Sequence, residues 1–236
     1  MRLVTPLLLK LGLYHPLRKV IFAFRNRGRS ADQVFTDIYR RNRWQGSESR
    51  SGEGSSLQQT ATLISQLPQV LERHKLTSML DIPCGDFHWM SQVSLGGVDY
   101  VGADIVPDVI AANSDNYAGA GRKFRVIDLC KGPLPRADLV FCRDCMVHLP
   151  FDILFSAVAQ IRSSGATWLM ATTFPATMEN RDIALGDFRP LNLQLAPLYF
   201  PTPVELVDER CTESGGAHAD KAMGIWRVAD LPESFA

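Results

Sequence analysis

The stretch SMLDIPCGDFHWM, Ser78 to Met90, decides how the rest of the chain is read. Met79, Leu80 and Ile82 predict a short buried strand from Ser78 to Ile82, and Pro83 to Asp86 a tight loop. A helix is expected to open near Phe87. A strand that feeds a helix through a Gly-containing turn leaves backbone N–H groups free, where an anionic group can sit. A dinucleotide fingerprint, however, places three glycines so that the backbone approaches a pyrophosphate. Here only Gly85 is present, with Pro83 and Phe87 in the outer places. Asp81 and Asp86 flank the loop and would repel phosphate. The loop therefore suits a ligand with a positive centre beside one small carboxylate.

S-adenosylmethionine has that chemistry: a sulfonium, an ammonium and one carboxylate. LDIPCGDFHWM resembles the first motif of class I S-adenosylmethionine-dependent methyltransferases, in the variant that reads D-x-P-C-G-D-x-x-W-M. The resemblance implies that Asp81, Pro83, Cys84, Gly85, Asp86 and Trp89 touch the cofactor. It extends upstream, where W-x-G-x-E-S-R-S-G-x-G-S precedes the motif, as Trp44 to Ser55 do here. A loop in that place could close over the cofactor, which gives Tyr39, Trp44, Arg50, Ser51 and Gly52 a ligand-side role. A solvated linker is the plainer reading of the same polar, glycine-rich residues.

Downstream, strand-like and helix-like runs alternate, which predicts a doubly wound, mainly parallel sheet with helices on both faces. Val98 to Asp104 reads as the second strand and ends on an acid. At 23 positions after Asp81, Asp104, with Ile105 beside it, stands near the separation at which a βαβ unit sets an acid against ribose hydroxyls. Phe124 to Asp128 reads as the third strand. The family pattern puts Asp128, with Leu129 next to it, beside the adenine amino group. Ala137 to Cys142 reads as the fourth strand and runs into Arg143, Asp144 and His148. At the carboxyl end of such a strand these three are the catalytic candidates. His148 or Asp144 would accept a proton from the methyl acceptor, and Arg143 would also contact cofactor. A histidine before a helix is also often a structural hydrogen-bonder. Pro150 to Arg162 reads as the next helix and Ala166 to Thr173 as the fifth strand.

The helices before the motif follow from periodicity. Ser30 caps a helix from Ala31 to Asn42 with Val34, Phe35, Ile38 and Tyr39 on one face. Leu57 to His74 carries Leu57, Ala61, Ile64, Leu67 and Leu71 at helical spacing, with a kink or restart expected at Pro68. After Thr173, residues 180–203 lose periodicity. Arg189 and Asn192 are the residues of that loop expected to face the acceptor. VELVDERC and KAMGIWRV then read as an antiparallel strand pair closing the sheet edge.

Two segments divide the chain: a basic amphipathic extension over residues 1–30 and a catalytic domain over 31–236. Arg2, Lys10, Arg18, Lys19, Arg25, Arg27 and Arg29 all precede the first acid, Asp32, with leucines between them. The apolar run is too interrupted to span a bilayer and lacks a small-residue cleavage site. It reads either as a helix packed on the domain or as a peripheral membrane contact of residues 1–29. Net charge is zero over 236 residues, so the whole protein is not an electrostatic nucleic-acid binder. Five cysteines without framework spacing suit a reducing cytoplasm, if needed with the protein peripheral on the inner membrane face. The single C-x-x-C of Cys142 and Cys145 lacks the second pair of a zinc knuckle, and no metal is expected.

The function expected is O-methylation of a small-molecule or sugar hydroxyl by direct displacement from S-adenosylmethionine. The competing expectation is a protein of the same fold that binds the cofactor without catalysis and serves as a membrane-associated partner.

Overall fold

The computed structural model describes residues 14–235; the apolar basic stretch 1–13 lies outside the described residues. In chain order come α1 (Tyr14–Arg25), α2 (Ala31–Arg40), α3 (Leu57–Arg73), β1 (Ser78–Asp81) and β2 (Asp99–Asp104). Then follow α4 (Pro107–Tyr117), β3 (Arg122–Val126), β4 (Leu139–Cys142), α5 (Phe151–Ser163), β5 (Trp168–Thr173), β6 (Glu205–Asp208) and β7 (Ala222–Arg227).

The strands form one seven-stranded sheet in the order β3-β2-β1-β4-β5-β7-β6. The first five are parallel to their neighbours; β7 runs antiparallel to both β5 and β6. The strand order reverses at β1, between β2 and β4, where an open parallel sheet leaves a crevice beyond its carboxyl ends.

Side-chain alternation along the central strands explains the layering. Met79, Leu139, Phe141 and Met170 point to one face and pack with Leu63, Leu67 and Val70 of α3. Leu80, Val140, Cys142 and Leu169 point to the other and pack with Leu154, Val158 and Ile161 of α5. Burying about ten such side chains on two faces, at roughly 1.5–3 kcal/mol each, drives the assembly.

Four sequence expectations need correction. No α-helix follows the motif: Phe87 takes φ 58, and only a short 3₁₀ turn, Met90–Gln92, is formed. The reason is packing. Phe87 is buried in an aromatic cluster with Tyr100, Tyr117 and Phe124 at ring distances of 5.0–5.2 Å, and the backbone bends to deliver it. Second, α3 continues through Pro68 as one helix and does not restart there. The lost ladder bond is offset by burial of Leu63, Leu67, Val70 and Leu71. Third, those residues form the buried face, whereas Leu57 is 40% exposed. Fourth, β3 ends at Val126, so Asp128 lies in the turn beyond it.

Candidate functional site

The carboxyl ends of β1, β2 and β4 open into a cavity of about 900 Å³. The ladder continues past β1, with Ile82 N–H donating to Phe141 O (2.9 Å) and Cys84 N–H to Ala103 O (2.8 Å). This wedges the Pro83–Asp86 loop between the ends of β2 and β4. Gly85 adopts φ 54, and a Cβ there would meet Ser51 Oγ at 2.3 Å; only glycine lets the two loops touch.

The N–H groups of the motif loop are already engaged. Gly85 N–H donates to Asp104 Oδ2 (3.2 Å) and Asp86 N–H to Ser51 Oγ (3.1 Å). With no helix start behind them, the loop offers no cradle for a pyrophosphate. What faces the cavity instead is acidic. Asp81 is buried, which pushes its carboxyl up to about 7 although Tyr100 donates to it at 2.5 Å. Asp104, at the end of β2, is pushed up to about 6 by burial, opposed by the N–H groups of Val106 and Gly85. Asp128 lines the cavity from the turn after β3, accepting from Cys130 N–H (2.9 Å) and pairing with Lys131 (3.0 Å).

Asp86 lines the cavity and also ties two loops together. Its carboxylate accepts from Ser49 Oγ (2.8 and 2.9 Å) and from Arg50 N–H (2.9 Å). The loop before α3 is thereby fastened to the motif. This brings Trp44, Ser51 and Gly52 to the cavity, which Tyr39 of α2 also lines, while Arg50 stays exposed outside it with its guanidinium over the Tyr39 ring at 5.7 Å.

His148, in the 3₁₀ turn Met146–His148, lines the same cavity. Its Nδ1 lies 2.8 Å from the Asp187 carbonyl, so Nδ1 carries the hydrogen and Nε2 is the lone-pair nitrogen. Nε2 makes no hydrogen bond among the described residues. The ring stacks on Trp44 at 5.1 Å and 29°. Burial lowers the His148 pKa below its ordinary value, against the pull of Asp187 and Asp144.

Of the two proton-acceptor candidates, Asp144 has other partners. Asp144 binds Lys221 Nζ at 2.6 Å and Arg143 Nη1 at 3.3 Å. Burial opposes its ionisation, but the two cations hold it well below the usual carboxylate range. Arg143 lines the cavity with its donors spent. Nη2 reaches Glu209 (2.6 Å) and the Gly54 carbonyl (2.8 Å), Nε reaches Glu209 (3.1 Å), and the guanidinium lies over Trp89 at 5.5 Å. Pro83, Cys84, Trp89, Ile105 and Leu129 also line the cavity.

Arg189 and Asn192 do not line it. Both are buried holding their own loop: Arg189 Nη1 donates to Leu149 O (2.8 Å), and Asn192 Nδ2 donates to Pro175 O and Thr177 O. Arg189 N–H also reaches Val147 O (3.1 Å), and Gly186 N–H reaches His148 O (3.0 Å). The 184–189 loop thus grips both the backbone and the ring of the His148 turn.

No protein-family model matches the chain, and no curated protein matches it in sequence. Among solved structures it is similar to the 1,6-didemethyltoxoflavin-N1-methyltransferase of Burkholderia thailandensis, with bound 1,6-didemethyltoxoflavin and S-adenosylhomocysteine. The TM-score is 0.56 and the identity 16%, covering 82% of this chain and 84% of that one. It is also similar to the N-methyltransferase NodS of Bradyrhizobium japonicum, in complex with S-adenosylhomocysteine, with TM-score 0.57, 14% identity, and 83% and 99% of the two chains covered. Human N-acetylserotonin methyltransferase, in complex with S-adenosylmethionine, gives TM-score 0.55 at 14% identity over 86% of this chain and 61% of that one. The fold is that of S-adenosylmethionine-dependent methyltransferases.

Within this methyltransferase fold the sequence reading missed Lys221, Glu209 and Glu213. Lys221 Nζ lies 3.7 Å from Glu209 and 3.5 Å from Glu213. With Arg143 and Asp144 they form an ion cluster at the cavity edge, in which Lys221, Arg143 and Glu209 are buried and Asp144 and Glu213 half-buried. A signal was available: in an antiparallel pair, the end of VELVDERC and the start of KAMGIWRV meet at one end of the sheet. Because β7 opposes β5, Ala222 pairing Thr173, that end is the carboxyl end, where the site lies.

Proposed function

We propose that this chain transfers a methyl group from S-adenosylmethionine to a hydroxyl of a small-molecule or sugar acceptor. The observation that carries the reading is that Asp104, ending a parallel strand, and His148, with an unbonded Nε2, face one cavity of about 900 Å³. A space of that order accommodates a cofactor and a small acceptor together.

The residues present fit the cofactor. Asp104 would accept from ribose hydroxyls, Asp128 would meet the adenine amino group, and Asp81 would supply negative charge toward a sulfonium or ammonium; all three line the cavity. When bound, the cofactor supplies an electrophilic methyl group on an excellent leaving group, so the protein's task is chiefly positioning. His148 does the proton work. Nδ1–H donation to the Asp187 carbonyl fixes the tautomer that leaves Nε2 free to take a hydroxyl proton. Its lowered pKa keeps the ring neutral near pH 7. Trp44 covers one ring face and shields the proton transfer from water. Lys221 and Arg143 hold Asp144 as a fixed ion rather than a base.

The reading is tested by incubating the protein and S-adenosylmethionine with a panel of hydroxylated small molecules and sugars. Release of S-adenosylhomocysteine together with a methylated oxygen is the expected result. Tight cofactor binding with no transfer to any acceptor would favour the non-catalytic binding protein, and methylated nitrogen would remove the need for His148 as base.

A further inference from the structure

Helix α1 is turned outward. Leu17, Val20, Ile21 and Phe24 recur at spacings of three and four and share one stripe. They are 46%, 64%, 48% and 80% exposed. The opposite side meets the domain: Asn26, just past the helix, donates from Nδ2 to Leu185 O (2.9 Å), and Lys19 pairs with Asp182 (2.8 Å). Phe22 and Asn26 also line the cavity of the candidate site. A surface helix ordinarily turns its apolar stripe to the core; this one presents most of it to the outside. Four adjacent exposed apolar side chains on one helix mark an interaction surface.

Charge decides the occupant. Residues 1–29 contain seven Lys and Arg and no acid, and Arg25 and Arg27 beside the stripe are exposed. A second copy of the same face would set these cations against one another. An anionic lipid surface satisfies both the charge and the apolar stripe. The helix spans 12 residues, and none among the described residues is long and apolar enough to cross a membrane, so it would lie in the interface. We infer that α1 docks on an anionic lipid surface, with Leu17, Val20, Ile21 and Phe24 entering the acyl boundary. The helix then stands between that surface and the cavity, as a wall shared by both. This inference stands whether or not the cavity carries methyl transfer.

The test uses the full chain and sedimentation with vesicles of phosphatidylcholine alone, or mixed in equal parts with phosphatidylglycerol. The protein should sediment with the anionic vesicles only, and high salt should release it. Arg27→Gln should lower the partition coefficient about fivefold, the weight of one cation near an anionic surface. The double variant Val20→Glu, Phe24→Glu should abolish sedimentation with an unchanged melting temperature, because both side chains are exposed. Phe24→Trp should be quenched by lipids brominated on the acyl chain. Three results would each overturn the inference: no sedimentation of the wild type, equal sedimentation of the double variant, or a dimer that the double variant dissolves without any vesicle binding. The last would assign the stripe to a second copy.

Discussion

The Ser49 hydroxyl lies 2.8 and 2.9 Å from the two carboxylate oxygens of Asp86, joining segments 37 residues apart. Arg50 N–H and Ser51 Oγ converge on the same carboxylate at 2.9 and 3.4 Å. Asp86, which itself lines the cavity, is thereby the anchor of the loop that carries Trp44 there. Asp86→Ala should therefore weaken S-adenosylhomocysteine binding by about 1.5–3 kcal/mol, the worth of hydrogen bonds to a charged group. Ser49→Ala should cost less, about 0.5–1.5 kcal/mol. Titration calorimetry on the two variants checks the order. Equal, unchanged affinities would mean that the loop is only a spacer.

Cofactor binding should depend on pH through Asp81 and Asp104, whose carboxyls burial pushes up to about 7 and about 6. Below those values the acids are neutral, lose their attraction for a cationic ligand, and accept hydrogen bonds poorly. Affinity for S-adenosylmethionine should fall as pH drops from 8 to 5, by up to about tenfold per pH unit for each proton taken up. The unliganded fold should respond oppositely. A carboxyl whose folded pKa is raised binds protons more readily folded than unfolded, so its contribution to stability declines as pH rises from about 4 through 7. Melting curves with and without ligand across this range separate the two trends.

His148→Ala should reduce turnover by roughly 10²–10⁴-fold with S-adenosylhomocysteine affinity nearly unchanged. Wild-type turnover should rise with pH through the folded-state pKa of His148, which burial holds below 6.5, and then level off, since only neutral imidazole takes the proton. On stability the sign is the same: the folded state binds the proton less readily than the unfolded one, so stability rises with pH across that window. A variant that melts lower yet turns over normally would make His148 a structural residue.

Much of this was legible in the chain because strands and their acids obey strong rules. Met79, Leu80 and Ile82, then Asp104 at the end of VDYVGAD, fall where the parallel sheet and its crevice require them. The helix expected after Phe87 was not legible, because its loss depends on Tyr100, Tyr117 and Phe124 gathering from three other elements to bury that ring. The separate partners of His148 and Asp144 were not legible for a similar reason. Lys221, 77 residues away, takes Asp144 at 2.6 Å, and the histidine turns to a carbonyl of the 184–189 loop.

That ion cluster yields its own prediction. Lys221→Met removes one of two cations among Asp144, Glu209 and Glu213, leaving buried negative charge uncompensated. Breaking a buried pair from one side typically costs about 3–5 kcal/mol, so the variant should melt well below wild type at pH 7. Acidification should recover part of the loss by protonating the excess acid. A melting temperature within a degree or two of wild type would mean that water reaches the cluster.

In the proposed function, the cavity at the ends of β1, β2 and β4 holds S-adenosylmethionine through Asp104. Calorimetric titration of S-adenosylhomocysteine into wild type and Asp104→Ala at pH 8 tests it most directly. Wild type should bind at micromolar order, the variant should remain folded and lose about 1.5–3 kcal/mol, and NADH should bind far more weakly. No binding by the well-folded wild type, or equal affinity in the variant, would contradict it.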